Sequence, residues 1–147
     1  MSVTLRPWRV EDALFIARTR NRPELKQWFR QDHDITVQEQ REYMRTNPQY
    51  HGHIILDCNE PVGVCGVNYH GRIGELCIAA PFDYHELAIP LLEQNEGYPP
   101  LEQDVFAKNP TLGLYIHKLG FKVRGVREKH YHKLWEGWID TVQLYKR

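Results

Sequence analysis

Between Pro81 and Asp104 the chain has no lysine or arginine, while Asp83, Glu86, Glu93, Glu96, Glu102 and Asp104 are acidic. Long apolar runs are missing as well. No stretch approaches the ~20 residues of a membrane helix, and the first residues lack the apolar core of a signal peptide. These absences point to a cytoplasmic protein with no membrane partner. Cysteine is scarce: Cys58, Cys65 and Cys77 cannot all pair with one another and show no CxxC spacing, so reduced thiols are expected rather than a disulfide framework or a zinc ribbon. Repeats, low-complexity tracts and linkers are also lacking. With 147 residues, 41% of them hydrophobic and 26% charged, the chain can fill one core but hardly two, and a single domain over residues 1–147 is expected.

Net charge is zero, but the signs are segregated. The acidic middle is followed by a basic ribbon from Lys118 to Lys133, in which Lys118, Lys122, Arg124, Arg127, Lys129 and Lys133 face only Glu128. Such a ribbon is either a solvated surface or a contact for nucleic acid or an acidic partner.

In chain order, Ser2 to Leu5 followed by Arg6-Pro7 suits an edge strand, because proline cannot serve a central one. Leu14, Phe15 and Ala17 recur at helical spacing behind Glu11-Asp12, and Pro23 opens a short helix with Leu25, Trp28 and Phe29. Thr36 with Glu39 forms a capping box for a helix ending near Thr46, before Asn47-Pro48. Tyr50 to Leu56, Val62 to Tyr69 and Ile73 to Ala80 read as an antiparallel meander, with turns at Cys58-Asn59-Glu60-Pro61 and His70-Gly71. Leu101 to Lys108 is a strand, Pro110 begins a helix ending near Gly120, and two strands reach Tyr145. Because a hairpin cannot join parallel neighbours, the Leu101 to Lys108 strand should lie parallel to Ile73 to Ala80 through a helical crossover.

That crossover, within GELCIAAPFDYHELAIPLL from Gly74 to Leu92, organises the chain. A strand runs into Pro81, and Asp83 with Glu86 reads as a second capping box, so that two carboxylates would occupy the N-terminal field where proteins often hold phosphate. Pro90 removes a donor and should leave this helix short, kinked or restarted.

The element order and the segment NPTLGLYIHKLGF, from Asn109 to Phe121, resemble the GNAT acyltransferases, particularly their RimJ/RimL-like branch. Leu5-Arg6-Pro7 with Glu11-Asp12, and Pro61-Val62-Gly63-Val64, resemble that branch too. The resemblance spans nearly the whole chain. It implies an α/β (α+β) fold with a mixed sheet of six to seven strands, an N-terminal antiparallel meander and helices on both faces. It also implies an N-acyltransferase that moves an acetyl group from acetyl-CoA to an amine of a small molecule or protein.

Carried over by position, the resemblance makes Glu75 the general base and Tyr115 the group that assists departure of the thiolate. The backbone of Ile78, Ala79 and Ala80, together with Ala88 and Asn109, would hold the cofactor. In the family's phosphate loop only Ala88 matches, since Asp83 replaces a polar or cationic residue and Glu86 a glycine. The family's tyrosine slot is Ile116, one residue and thus about 100° of helical turn from Tyr115. Tyr115 also suits a core position with Leu112 and Leu119, and Asn109-Pro110 a helix entry. His51 with His53 and His130 with His132 share strand faces, but no third ligand is evident and no metal site is assigned. Two alternatives stay open: a catalytically silent binding or assembly protein, of the phage internal-protein kind, and a nucleic-acid-modifying enzyme with another cofactor. A homodimer is left open as well.

Overall fold

The computed structural model describes residues 2–146 apart from 29–32, 49, 68–71, 74–76, 80, 95–101 and 133–136. Two four-stranded sheets form the centre. The first has the order β1 (Val3–Pro7), β2 (His51–Asp57), β3 (Glu60–Val67), β5 (Cys77–Ala79), antiparallel throughout. β1 lies at its edge, as Pro7 requires. The β2–β3 turn places Cys58 and Asn59 at φ 49° and 69°, the pair of left-handed residues that a tight hairpin demands.

The second sheet has the order β4 (Arg72–Ile73), β6 (Glu102–Phe106), β8 (Gly137–Tyr145), β7 (Lys122–His132). β4 runs parallel to β6, with Arg72 opposite Glu102 and Ile73 opposite Gln103, and β6 and β7 are antiparallel to β8. The parallel pairing expected from the crossover is therefore present. The strand expected over Ile73 to Ala80 has its described residues divided between the sheets, β4 in one and β5 in the other, and the described residues form eight strands.

Helices cover both faces of the first sheet because neighbouring strand residues point to opposite sides. Ile54 packs with Ile16 and Val64 toward α1 (Ala13–Arg20) and α3 (Val37–Thr46), with Phe15 and Met44 against them. Leu25 of α2 (Pro23–Lys26) meets Ile78 and Phe82 on that side. Ile55, Cys65, Cys77 and Ala79 instead join the large core with α4 (Asp83–Glu93) and α5 (Thr111–His117). Ile54 and Ile55 are both fully buried, and each contributes about 1.5–3 kcal/mol. Their adjacency fastens helices to both faces at once. Gly52 makes a close approach possible on β2: the Trp8 amide donates to its carbonyl at 3.0 Å, and a Cβ there would overlap the Trp8 indole.

Local signals explain most boundaries. Thr36 accepts from the Glu39 amide at 3.0 Å and caps α3; Pro23 stands at the first turn of α2; Gly120, at φ 78°, ends the α5 turn in a left-handed conformation. α4 runs through Pro90 as one helix of 11 residues and is not restarted there, while the expectation about its cap fails. Ala88, Ile89 and Leu92 have no exposed surface, and their packing offsets the ~3 kcal/mol that an interior proline costs. Asp83 and Glu86 do not cap it. Phe82 is the N-cap residue and is already helical at φ −63°, ψ −16°, whereas a side-chain cap needs an extended residue. The first turn closes on itself, the Tyr84 and His85 amides donating to the Pro81 and Phe82 carbonyls at 3.2 and 3.0 Å.

Candidate functional site

Ile73 and Cys77 belong to different sheets: the chain leaves β6 after Ile73 and joins β3 at Cys77. Among the described residues no ladder connects β5 to β6. This unladdered seam is spanned by side chains of α4 and α5.

His85 of α4 and Tyr115 of α5 meet in it, with Nδ1 and the phenolic oxygen 2.7 Å apart and the rings edge-on. Both are buried, at 4% and 1% exposure. Burial pushes the imidazole down to about 4, the Ala79 backbone acting more weakly the other way. At neutral pH His85 is therefore an uncharged hydrogen-bonding group. Burial also raises the Tyr115 phenol well above its ordinary value, opposed by the approaching Gln103 side chain, so Tyr115 keeps its proton. Beneath them Cys65 and Cys77 are direct cross-strand partners. Desolvation pushes the Cys65 thiol up to about 12 and Cys77 well above its usual range, leaving both as inert core groups.

Sequence reasoning passed over His85. The signal was available, because His85, Ala88, Ile89 and Leu92 form one i, i+3, i+4, i+7 stripe, and all four are buried.

The other expected site residues are dispersed in role. Ile78 and Ala79 lie on β5, at the seam, with buried side chains. Ala88 is a core residue of α4. Asn109 starts α5: its Oδ1 accepts from the Thr111 amide at 2.9 Å and the Thr111 hydroxyl at 2.8 Å. Glu75 and Ala80 lie outside the described residues. His53 is buried on β2 and burial lowers its pKa.

At the start of α4 the two acids stand apart from the helix amides. Glu86 faces Lys118 at 3.7 Å across an exposed α4–α5 contact. Among the described residues, the amides of Phe82 and Asp83 have no hydrogen-bond partner, which leaves donors at the positive end of an 11-residue helix. The basic ribbon is partly committed to the molecule itself. Lys118 pairs with Glu86, while Arg124 pairs with Glu102 at 2.9 Å and lies 4.8 Å over the Tyr145 ring.

These features define a class of fold, that of the GNAT acetyltransferases. Solved structures similar to this chain include a GNAT superfamily phosphinothricin acetyltransferase from Sinorhizobium meliloti in complex with AcCoA, at 15% identity and TM-score 0.78 over 99% of this chain and 88% of that one. Spermidine N-acetyltransferase from Vibrio cholerae, in complex with CoA and spermine, matches at 17% identity and TM-score 0.77 over 97% and 94%. An acetyltransferase of the GNAT family from Streptococcus pneumoniae matches at 16% identity and TM-score 0.70 over 99% and 98%. At these identities the likeness is one of fold. No protein-family profile matches the chain, and no curated protein matches it. No helix among the described residues is long and apolar enough to cross a membrane.

Proposed function

We propose that this protein is an N-acyltransferase that takes an acetyl group from acetyl-CoA and delivers it to an amine. The observation that carries the reading is the seam itself, an unladdered β5 edge beside the N-terminus of α4. Acetyl-CoA fits the groups present there. The Phe82 and Asp83 amides have the donor chemistry for a diphosphate, and the Ile78 and Ala79 backbone that for an extended amide-containing arm. Asp83 and Glu86 oppose an anion electrostatically, but neither occupies the helix amides and Glu86 is turned to Lys118. Assignment to the RimJ/RimL-like branch is part of the same proposal and rests on Leu5-Arg6-Pro7 and the Asn109 to Phe121 segment.

Acetyl-CoA supplies an activated acyl group on a thiol leaving group when bound. Glu75 acts as general base, accepting a proton from the substrate ammonium so that its nitrogen becomes a nucleophile. Tyr115, protonated throughout the neutral range, holds a proton at the floor of the seam for the departing sulfur. Asn109 contributes indirectly, by starting the helix that carries Tyr115.

Isothermal titration with acetyl-CoA, followed by thiol-release assays over a panel of polyamine, aminoglycoside and peptide amines, tests the reading. Micromolar binding and amine-dependent thiol release are expected, with Glu75→Gln lowering turnover by about 10²–10⁴. No heat at millimolar acetyl-CoA would turn the assignment to the second reading, a silent binding protein on the same fold, which the paired acids at Asp83 and Glu86 favour.

A further inference from the structure

Tyr115 has its oxygen placed from outside its own helix. On α5 it stands about 100° from Ile116, the slot to which the GNAT resemblance assigns the acid, so the helix alone does not aim the phenol. Its backbone is held at the end of α5, where the Phe121 amide donates to the Tyr115 carbonyl at 3.0 Å. The ring lies between those of Phe121 and His85, with centroids 5.3 and 5.7 Å away and planes nearly perpendicular, at 89° and 82°. Such contacts fix the plane of a ring but leave its hydroxyl free to turn. The hydroxyl is fixed by His85, whose Nδ1 is 2.7 Å from the phenolic oxygen. His85 is itself held in α4, buried and edge-on to Phe82 at 5.9 Å.

Packing alone would not select an imidazole here. His85 Nε2 and Gln103 Nε2 are buried without hydrogen-bond partners, on residues only 4% and 5% exposed, and Gln103 approaches the same phenol. Each atom in this condition is unfavourable, and an apolar side chain of the same shape would relieve it. The fold keeps these polar neighbours around one oxygen although stability falls, and what His85 supplies there is a fixed hydroxyl. Being uncharged at neutral pH, it holds the phenol without adding a charge to the core.

We propose that His85 is a positioning residue for Tyr115, its Nδ1 setting the place of the phenol from which the departing sulfur takes a proton. The chemistry served rests on the acetyl-CoA reading; the placement of the phenol does not. In that reaction Tyr115 gives its proton to sulfur as the electron pair of the broken C–S bond passes there. One of the two protons that the ammonium sheds in becoming an amide restores the phenol, and the other goes to solvent.

Two polar substitutions separate this role from packing. His85→Asn sets an amide where Nδ1 stands, whereas His85→Gln sets one where Nε2 stands, out of reach of the phenol. His85→Leu removes both nitrogens. With acetyl-CoA and the amine of the panel that wild type acetylates fastest, His85→Gln and His85→Leu should lose about 10²-fold in kcat. KM for acetyl-CoA should not change, and His85→Asn should recover most of the rate. Tyr115→Phe combined with His85→Leu should be no slower than Tyr115→Phe alone. On the selenoester analogue of acetyl-CoA, whose selenol leaves without a proton, the losses should vanish. Additive losses, or equal losses on both esters, would overturn the proposal, because His85 would then act through packing. If His85→Leu does not fold, His85→Gln carries the same comparisons.

A second readout needs no turnover. In proton NMR of the full chain with isotope-labelled tyrosine, the Tyr115 hydroxyl should give a slowly exchanging signal in wild type and in His85→Asn that is lost from His85→Gln and His85→Leu. Its absence from wild type, or an unchanged signal in the last two variants, would overturn the placement. If wild type releases no thiol with any amine, the transferase reading falls and the hydroxyl signal alone decides for His85.

Discussion

Ile73 and Cys77 stand on either side of a single short hand-over, yet Ile73 pairs in parallel with Gln103 and Cys77 antiparallel with Cys65. Each strand of the second meander hairpin's return thus belongs to a different sheet. Among the described residues, the far edge of β5 pairs with no neighbouring strand.

Stability should depend on pH through His85. An unfolded imidazole titrates near 6.5 and the buried one near 4, so the unfolded chain binds the proton first. The contribution is complete above pH 6.5, declines as pH falls toward 4 and is gone below it. The loss is roughly 3 kcal/mol. Desolvation lowers His53 too, adding loss in the same direction. Urea midpoints between pH 7.5 and 4 measure this, and the slope should shrink in His85→Leu/Tyr115→Phe.

Asp83 and Glu86 should matter for anion affinity more than for folding. Because Phe82 and not Asp83 is the N-cap residue, Asp83→Asn removes only its interaction with the helix dipole, about 0.3–1 kcal/mol. The Asp83→Asn/Glu86→Gln double variant should bind acetyl-CoA more tightly, with the gain largest at low salt and fading above about 0.15 M. Weaker binding in that variant would mean that the acids belong to the cofactor site.

Asn109→Ala should cost about 1 kcal/mol through loss of the bonds to Thr111, with Asn109→Asp largely preserving stability. Thermal melts separate the two.

Thiol chemistry should be sharply selective. Cys58 is exposed, whereas Cys65 and Cys77 are buried. Native protein should react with Ellman's reagent at Cys58 alone, and the other two should respond only in denaturant. Rapid labelling of Cys77 in the native state would contradict the packing of β5.

The fold was readable because its signals were local. Thr36 with Glu39, Pro23 and the β2–β3 turn each state their structure in a few residues, and the parallel β4–β6 pair follows from the need for a crossover. The site was less readable because its determinants are not local. Pro90 signals a break by every local rule, but the stripe from His85 to Leu92 is held by a core drawn from both sheets. Asp83 and Glu86 have the spacing of a cap, but Phe82 takes the N-cap position, so the spacing falls out of phase. Tyr115 was legible as a core aromatic. Its partner, thirty positions earlier, was not, since nothing in the sequence alone brings residues 85 and 115 together.

The contact of Gly52 with Trp8 restricts how this chain can diverge. Any side chain at position 52 collides with the indole, so the glycine can be replaced only after Trp8 has become smaller. A change at 52 first would be lost to instability, while Trp8→Ala first would leave a void that a later alanine or serine at 52 could partly fill. The order of substitution is thus fixed, and true homologues should carry either the glycine with a large ring or a small residue at 8 with a bulkier one at 52. That paired signature offers a way to recognise distant kin whose overall identity has fallen too low to detect.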